Sequence, residues 1–206
     1  MGLYAKYLLP RVLDLTCGSK VVARQRQKVV PLAEGRVLEI GIGSGLNLPH
    51  YDATKVTRVI GLDPAPEMLV RARRRAEQAP FEVEFLALDG AAIPLETASV
   101  DTVLVTYTLC TIPDAVAALE GMRRVLKHGG RLIFCEHGRA PDAPVRRWQR
   151  RLNPLWNRIG GGCNLDRDIP ALIERAGFGI DTVETMYLPG TPRFAGFNFW
   201  GSARPE

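Results

Sequence analysis

Val37-Leu38-Glu39-Ile40-Gly41-Ile42-Gly43-Ser44-Gly45 is followed by Ile60-Gly61-Leu62-Asp63. An apolar strand runs into a glycine-rich turn, and a second apolar strand ends on an acidic residue. The interval from Glu39 to Asp63 is 63 − 39 = 24 residues, about one helical crossover between parallel strands. Such an arrangement suits a ligand that contains adenosine. A dinucleotide fingerprint needs glycines at its first, third and sixth places. Here they fall at Gly41, Gly43 and Gly45, and the sixth place is Leu46. Glu39 adds a carboxylate where a pyrophosphate would lie. The turn therefore disfavours a dinucleotide and favours a cationic ligand.

Outward from this stretch, strands alternate with helices. Residues 2–32 read as helical and close at Pro31, before the first strand at 36–40. Further strands are expected at 57–62, 81–88 and 100–106. The last of these is almost wholly apolar and β-branched, as a central parallel strand buried on both faces should be. Helices are expected at 67–78, 114–127 and 168–176, the second stopping at His128-Gly129-Gly130. A fifth strand follows at 131–137, and 180–187 with 194–203 reads as an antiparallel pair. The expected fold is α/β, a doubly wound seven-stranded sheet with one antiparallel strand near its edge. It forms one domain over 1–206, with 1–32 as an N-terminal helical lid.

Composition narrows the class. A chain of 206 residues is long enough to bury a full core. No apolar run approaches the ~20 residues of a membrane span. Lys6, Pro10, Arg11 and Asp14 interrupt the apolar N-terminus, which lacks the pattern of a signal peptide. A cytoplasmic location follows. Cys17, Cys110, Cys135 and Cys163 stand far apart with no C-x-x-C pair, so neither a disulfide framework nor a metal site is expected. The net charge of +5 is mild, and the arginine clusters at 71–75 and 146–151 read as solvated helix faces rather than a nucleic-acid surface. The second cluster carries Trp148 and Trp156, which leaves peripheral membrane contact as an alternative. Packing of the tryptophans in the core is the preferred reading, because Asn153-Pro154 should cut that helix short.

In sheets of this kind ligands bind beyond the carboxyl ends of the strands. Glu39, Gly41, Gly43, Gly45 and Asn47 follow the first strand. Asp63, Pro64 and Met68 follow the second, where a carboxylate accepts both ribose hydroxyls. Asp89 and Gly90 follow the third, placed for an adenine amino group, and Thr106 ends the fourth. Taken singly these residues are ordinary strand ends, caps and turn formers. As acidic groups at three successive strand ends, after one glycine turn, they form a cofactor site.

These residues resemble the class I S-adenosylmethionine-dependent methyltransferases. Glu39 to Gly45, Asp63, Asp89-Gly90 and Val125-Leu126-Lys127-His128-Gly129-Gly130 match that family's ordered motifs, with His128 where proline is usual. The resemblance implies a Rossmann-like fold, S-adenosylmethionine as cofactor and methyl transfer as activity. A narrower likeness rests on Thr108-Leu109-Cys110-Thr111-Ile112, Glu136-His137 and Gly162-Cys163-Asn164-Leu165-Asp166-Arg167. These segments are similar to those of the microsomal alkyl-thiol S-methyltransferases, which implies a small-molecule thiol acceptor. Bacterial phospholipid N-methyltransferases share the glycine turn, so a phospholipid or other amine acceptor is the alternative. A non-catalytic S-adenosylmethionine-binding module is the alternative of another class.

Methyl transfer from a sulfonium is an in-line displacement, and positioning supplies most of the rate. A thiol of pKa about 8.5 provides a few per cent thiolate at neutral pH, whereas an ammonium needs a base to free its lone pair. His137, after the fifth strand, is the candidate base. Tyr107 and Cys110 are the other candidate catalytic residues, lining the methyl pocket. Tyr4 and Tyr7 are candidates for a lid, with apolar packing of an N-terminal helix as the preferred reading. The acceptor's identity and the oligomeric state are not written in these motifs.

Overall fold

Val37, Leu38 and Ile40 in the first strand, and Val103, Leu104 and Val105 in the fourth, are apolar on both sides of the chain, and the fold buries both sides. The computed structural model describes residues 14–88 and 93–206. Its elements are α1 (Lys20–Val29), β1 (Gly35–Ile40), β2 (Val56–Leu62), α2 (Pro66–Ala76), β3 (Glu82–Leu86), β4 (Val100–Thr106), α3 (Ala115–Val125), β5 (Leu126–His137), α4 (Ala143–Ile159), α5 (Ile169–Arg175), β6 (Phe178–Tyr187), α6 (Arg193–Gly196) and β7 (Phe197–Pro205). They build one seven-stranded sheet in the order β3-β2-β1-β4-β5-β7-β6. β1 to β5 pair in parallel, and β7 runs antiparallel to both β5 and β6. The expected reversed strand near the edge is therefore β7.

Alternation along each strand divides the core into two layers. Leu38, Ile40, Val103, Val105, Leu132 and Phe134 face α3 and α5, packing on Leu119, Met122, Ile169 and Ile173. Val37, Leu104, Ile133 and Cys135 face the other way, with Val29 of α1 and Leu69 of α2. The same alternation puts Glu39, two residues after Val37, and Thr106, two after Leu104, on the α1 side of the sheet. Both are buried polar groups, and their partners are described below.

Four local expectations are corrected. The expected helix over 114–127 ends earlier, at Val125. Asp114 caps it by accepting from the Ala117 amide at 3.0 Å. The expected glycine stop lies inside β5, which starts at Leu126. Val100 pairs with Leu126 and Thr102 with Arg131, so residues 127–130 bulge from the ladder, turning at Gly129 with φ +81°. β7 begins at Phe197 because residues 193–196 form the turn α6.

The fourth correction is α4, which runs through Pro154 to Ile159. Asn153 does not break it, since its side-chain oxygen accepts the Leu165 amide at 2.8 Å. Buried Gln149 also ties this helix down, donating to the carbonyls of Gly138, Leu165 and Phe194 and accepting from the Ala140 amide. Trp148 is not in the core but 57% exposed, in a stripe with Leu155 (62%) and Ile159 (49%). Among the described residues no helix is long and apolar enough to cross a membrane.

Candidate active site

The glycine turn joins β1 to a short 3-10 turn at Leu48–His50. Gly41 and Gly43 both have positive φ, +71° and +55°. A side chain on Gly41 would overlap that of Thr108, so glycine here brings the end of β4 against the turn. A Cβ on Gly43 would meet nothing closer than the Met68 methyl at 3.6 Å and Asp63 Oδ2 at 4.0 Å. Room for a methyl group between Gly43, Asp63 and Met68 thus lies beside the turn. Gly45 turns the chain toward Ala72 of α2.

Asp63 closes this space from the end of β2. Its Oδ2 accepts the Gly43 amide at 2.9 Å and its Oδ1 the Ala65 amide at 2.9 Å. Burial pushes its carboxyl above the usual range, and the two amide bonds oppose that shift. The carboxylate is fixed in orientation while each oxygen keeps lone-pair capacity. Pro64 follows it, and Met68 sits in the first turn of α2. Asp89 and Gly90, the expected adenine contacts, lie outside the described residues, as do Tyr4 and Tyr7 with the rest of 1–13 of the expected lid. The described end of that segment touches the cradle. Asp14 accepts from Ser44 Oγ in the turn and pairs with Arg71 of α2 at 2.9 Å.

Glu39 takes a different place from the one its position at a strand end suggests. Its Oε1 accepts from Asn47 Nδ2 at 2.9 Å and its Oε2 from the Tyr51 hydroxyl at 2.7 Å. Arg26 of α1, which sequence reasoning passed over, completes this layer. Its Nη1 donates to Asn47 Oδ1 at 2.8 Å and to Thr106 Oγ1 at 2.6 Å, and Asn47 Nδ2 also reaches Thr106 at 3.0 Å. Burial pushes Glu39 up to about 7, against the pull of Tyr51, Asn47 and the Arg26 charge. Arg26, Glu39, Asn47, Tyr51 and Thr106 therefore form a buried polar layer that holds β1, β4 and the glycine turn in one geometry.

Beyond β4 the backbone is bent hard. Tyr107 has φ +54°, which a residue with a Cβ seldom adopts. Its amide is held by the Cys135 carbonyl at 2.9 Å and its hydroxyl donates to Asn198 Oδ1 at 2.7 Å. Burial raises its phenol further above the ordinary value. The hydroxyl is thus engaged in positioning the bend. The next turn is gripped from two sides. Glu136 Oε1 accepts the amides of Thr108 and Leu109 at 2.7 and 3.0 Å, and Arg167 donates to the carbonyls of Leu109 and Ile112.

Cys110, buried in that turn, meets two residues from far along the chain. His137 at the end of β5 has Nε2 3.0 Å from Cys163 Sγ, and Cys163 also accepts from Trp156 Nε1 at 3.3 Å. The ligand atoms of Cys110, His137 and Cys163 all lie within 4.8 Å of one another. Burial pulls the His137 imidazole down, but the bond to Cys163, the Cys163 sulfur's charge and the nearby Glu136 together outweigh it and the net shift is upward. The neighbouring Cys110 thiol, and then burial, push the Cys163 thiol up. No sequence signal announced this meeting, since 27 and 26 residues separate the three. Spacing along the chain offers no such cluster, and the fold assembles one.

Residues 38–134 match the methyltransferase domain family. The chain is 31% identical over 209 residues to human thiol S-methyltransferase TMT1B, covering 94% of this chain and 84% of that protein. This chain is a class I S-adenosylmethionine-dependent methyltransferase. It is also 30% identical over 128 residues to the phosphatidylethanolamine N-methyltransferase of Cereibacter sphaeroides, covering 61% of this chain and 62% of that one. A methyltransferase structure from Thermotoga maritima superposes with a TM-score of 0.70 at 22% identity, over 98% of each chain. S-adenosylmethionine is the methyl donor, and the glycine turn, with the Asp63 carboxylate fixed beside it by the Gly43 and Ala65 amides, suits a ligand of that kind. When bound, it supplies a methyl group on a positively charged sulfur. The methyltransferase itself has only to hold donor and acceptor in line.

Proposed function

We propose that this methyltransferase transfers the methyl group to a small-molecule thiol in the cytoplasm. The observation that carries the reading is the reach of the likeness to the thiol S-methyltransferase, which spans 94% of this chain. It extends past the cofactor half into the turns around Cys110 and Cys163, where an acceptor would be chosen. The four cysteines are free, as a reducing compartment favours. Thr106-Tyr107-Thr108-Leu109-Cys110 lacks the Asn/Asp-Pro-Pro-aromatic element found at this place in enzymes that methylate exocyclic amines of nucleic acids. In this reading Asp63 accepts the ribose hydroxyls, and Gly41, Gly43 and Gly45 let the backbone approach the donor. Pro64 and Met68 line the adenosine side, and Asp89 and Gly90 the adenine. Glu39, Asn47 and Thr106 hold the turn from beneath. Tyr107 sets the bend that carries Cys110 to the acceptor side, with His137.

A second reading has its own observation. On α4 the exposed Trp148, Leu155 and Ile159 lie beside Arg147, Arg151 and Arg158. That pattern suits the surface of an anionic bilayer, and so a phospholipid amine as acceptor. Release of S-adenosylhomocysteine across a panel of alkyl thiols, primary amines and anionic liposomes separates the readings. Thiol-dependent release is expected. Release with liposomes alone would replace the thiol with a lipid amine, and tight donor binding with no release would leave a binding module.

A further inference from the structure

Cys110, His137 and Cys163 arrive from three separate elements: the turn after β4, the end of β5 and the glycine-rich turn after α4. Two thiols and an imidazole with all their ligand atoms within 4.8 Å form a soft-metal donor set. Zinc binds sulfur at ~2.3 Å and imidazole nitrogen at ~2.0–2.1 Å, which sets tetrahedral ligand atoms roughly 3.5 Å apart. The cluster is therefore within small side-chain rotations of that geometry. Three protein ligands leave a fourth position open, as in catalytic rather than structural zinc sites.

The surroundings support an ion. Trp156 Nε1 donates to Cys163 Sγ at 3.3 Å, a bond that favours the thiolate. The main-chain and side-chain amides of Asn164 both reach the Cys110 carbonyl at 2.9 Å, fixing one ligand's turn to the other's. Glu136, one residue before His137, is fully buried, and its Oε2 has no partner among the described residues. The cluster also adjoins the donor site, since Thr108, two residues before Cys110, packs directly on Gly41.

We propose that Cys110, His137 and Cys163 hold one zinc-class divalent ion, and that the acceptor thiol binds it as a thiolate in the fourth position. The ion claim stands by itself, while the fourth-ligand claim rests on the thiol reading above. When the ion binds, the S–H bonds of Cys110 and Cys163 break and their protons pass to solvent. When the acceptor binds, its own S–H bond breaks and that proton also passes to solvent. The sulfur keeps the electron pair, bonds to the ion and is held ionised at neutral pH. Nothing is oxidised or reduced. This removes the need for a protein base on the acceptor.

Cobalt(II) titration of the metal-free, phosphine-reduced protein tests both claims. One ion per chain is expected, with a thiolate-to-cobalt charge-transfer band and the strong visible bands of tetrahedral cobalt. The visible bands should shift when 2-mercaptoethanol is added. Cys110→Ser and Cys163→Ser should each weaken cobalt binding at least about 100-fold, while Cys17→Ser keeps the spectrum. Calorimetric binding of S-adenosylhomocysteine by each variant shows that it is folded. Absence of a charge-transfer band, or a band that survives both serine changes in folded protein, overturns the ion. Thiol methylation persisting in such cobalt-silent protein would do so while leaving the thiol reading intact. Cobalt bands unmoved by thiols, in protein that methylates none, would overturn the fourth-ligand claim together with the thiol reading.

Discussion

Glu39 shows how far a single residue can be read. Its type and its place at the end of β1 are plain from the sequence. Its direction follows from alternation, because it shares a face with Val37 and so turns into the layer beneath α1. Its partners do not follow. Arg26 lies 13 residues before Glu39 and 80 before Thr106, and no local pattern joins the three. The burial that hides Glu39 also makes it titrate late, with its carboxyl moved from 4.5 to about 7. The folded protein thus holds a proton that the unfolded chain has lost in that interval. The stabilisation is complete below about 4.5 and is lost as pH rises through about 7. Urea unfolding between pH 5 and 8 should therefore show stability falling by up to about 3 kcal/mol from this group. Glu39→Gln, which never ionises, should remove its share of that slope and leave the share of Glu136, whose carboxyl burial also raises to about 7. A slope unchanged in the variant would place the proton elsewhere.

At the scale of elements, the central strands were the most legible, because a strand buried on both faces has to be continuously apolar. The doubly wound sheet and its one reversed strand near the edge followed from the alternation of strands with helices and the terminal pair. What escaped were features set by contacts distant in sequence. The bulge at 127–130 depends on pairing with β4. The passage of α4 through Pro154 depends on side chains that anchor the flanking turns, with Gln149 and Asn153 chief among them. Arg167 is a similar anchor, its guanidinium spanning to the carbonyls of Leu109, Ile112 and Pro113. These bonds hold the Cys110 turn but do not reach the glycine cradle. Arg167→Ala should cost about 2 kcal/mol of stability in chemical denaturation, as expected for hydrogen bonds to a charged group. It should raise the acceptor KM several-fold while the Kd for S-adenosylhomocysteine changes less than about twofold. Equal losses on both would mean that the turn supports the donor site as well.

Across the whole molecule, the two halves of the site differ in how they are encoded. The donor half is nearly continuous, a glycine turn of a few residues with Asp63 24 residues after Glu39, so the sequence displays it. The proposed acceptor half is assembled from 107–113, 137 and 160–167, and only the complete sheet brings these together. One consequence is measurable on the intact protein. A ligand that binds only the folded chain at 100 times its Kd adds about 2.7 kcal/mol. For a chain of this size that corresponds to a rise in Tm of roughly 5–11 °C. S-adenosylhomocysteine should produce such a rise. Asp63→Ala removes the proposed acceptor for the ribose hydroxyls and frees the Gly43 amide that now shapes the turn. Loss of charged hydrogen bonds worth about 2–3 kcal/mol weakens binding by about 100-fold. At the same ligand concentration the variant would then sit near its own Kd, where the added stability is only about 0.4 kcal/mol. The thermal shift should fall to roughly 1–2 °C. A full-sized shift in Asp63→Ala would remove that carboxylate from the donor site and leave the glycine turn to hold the ligand without it.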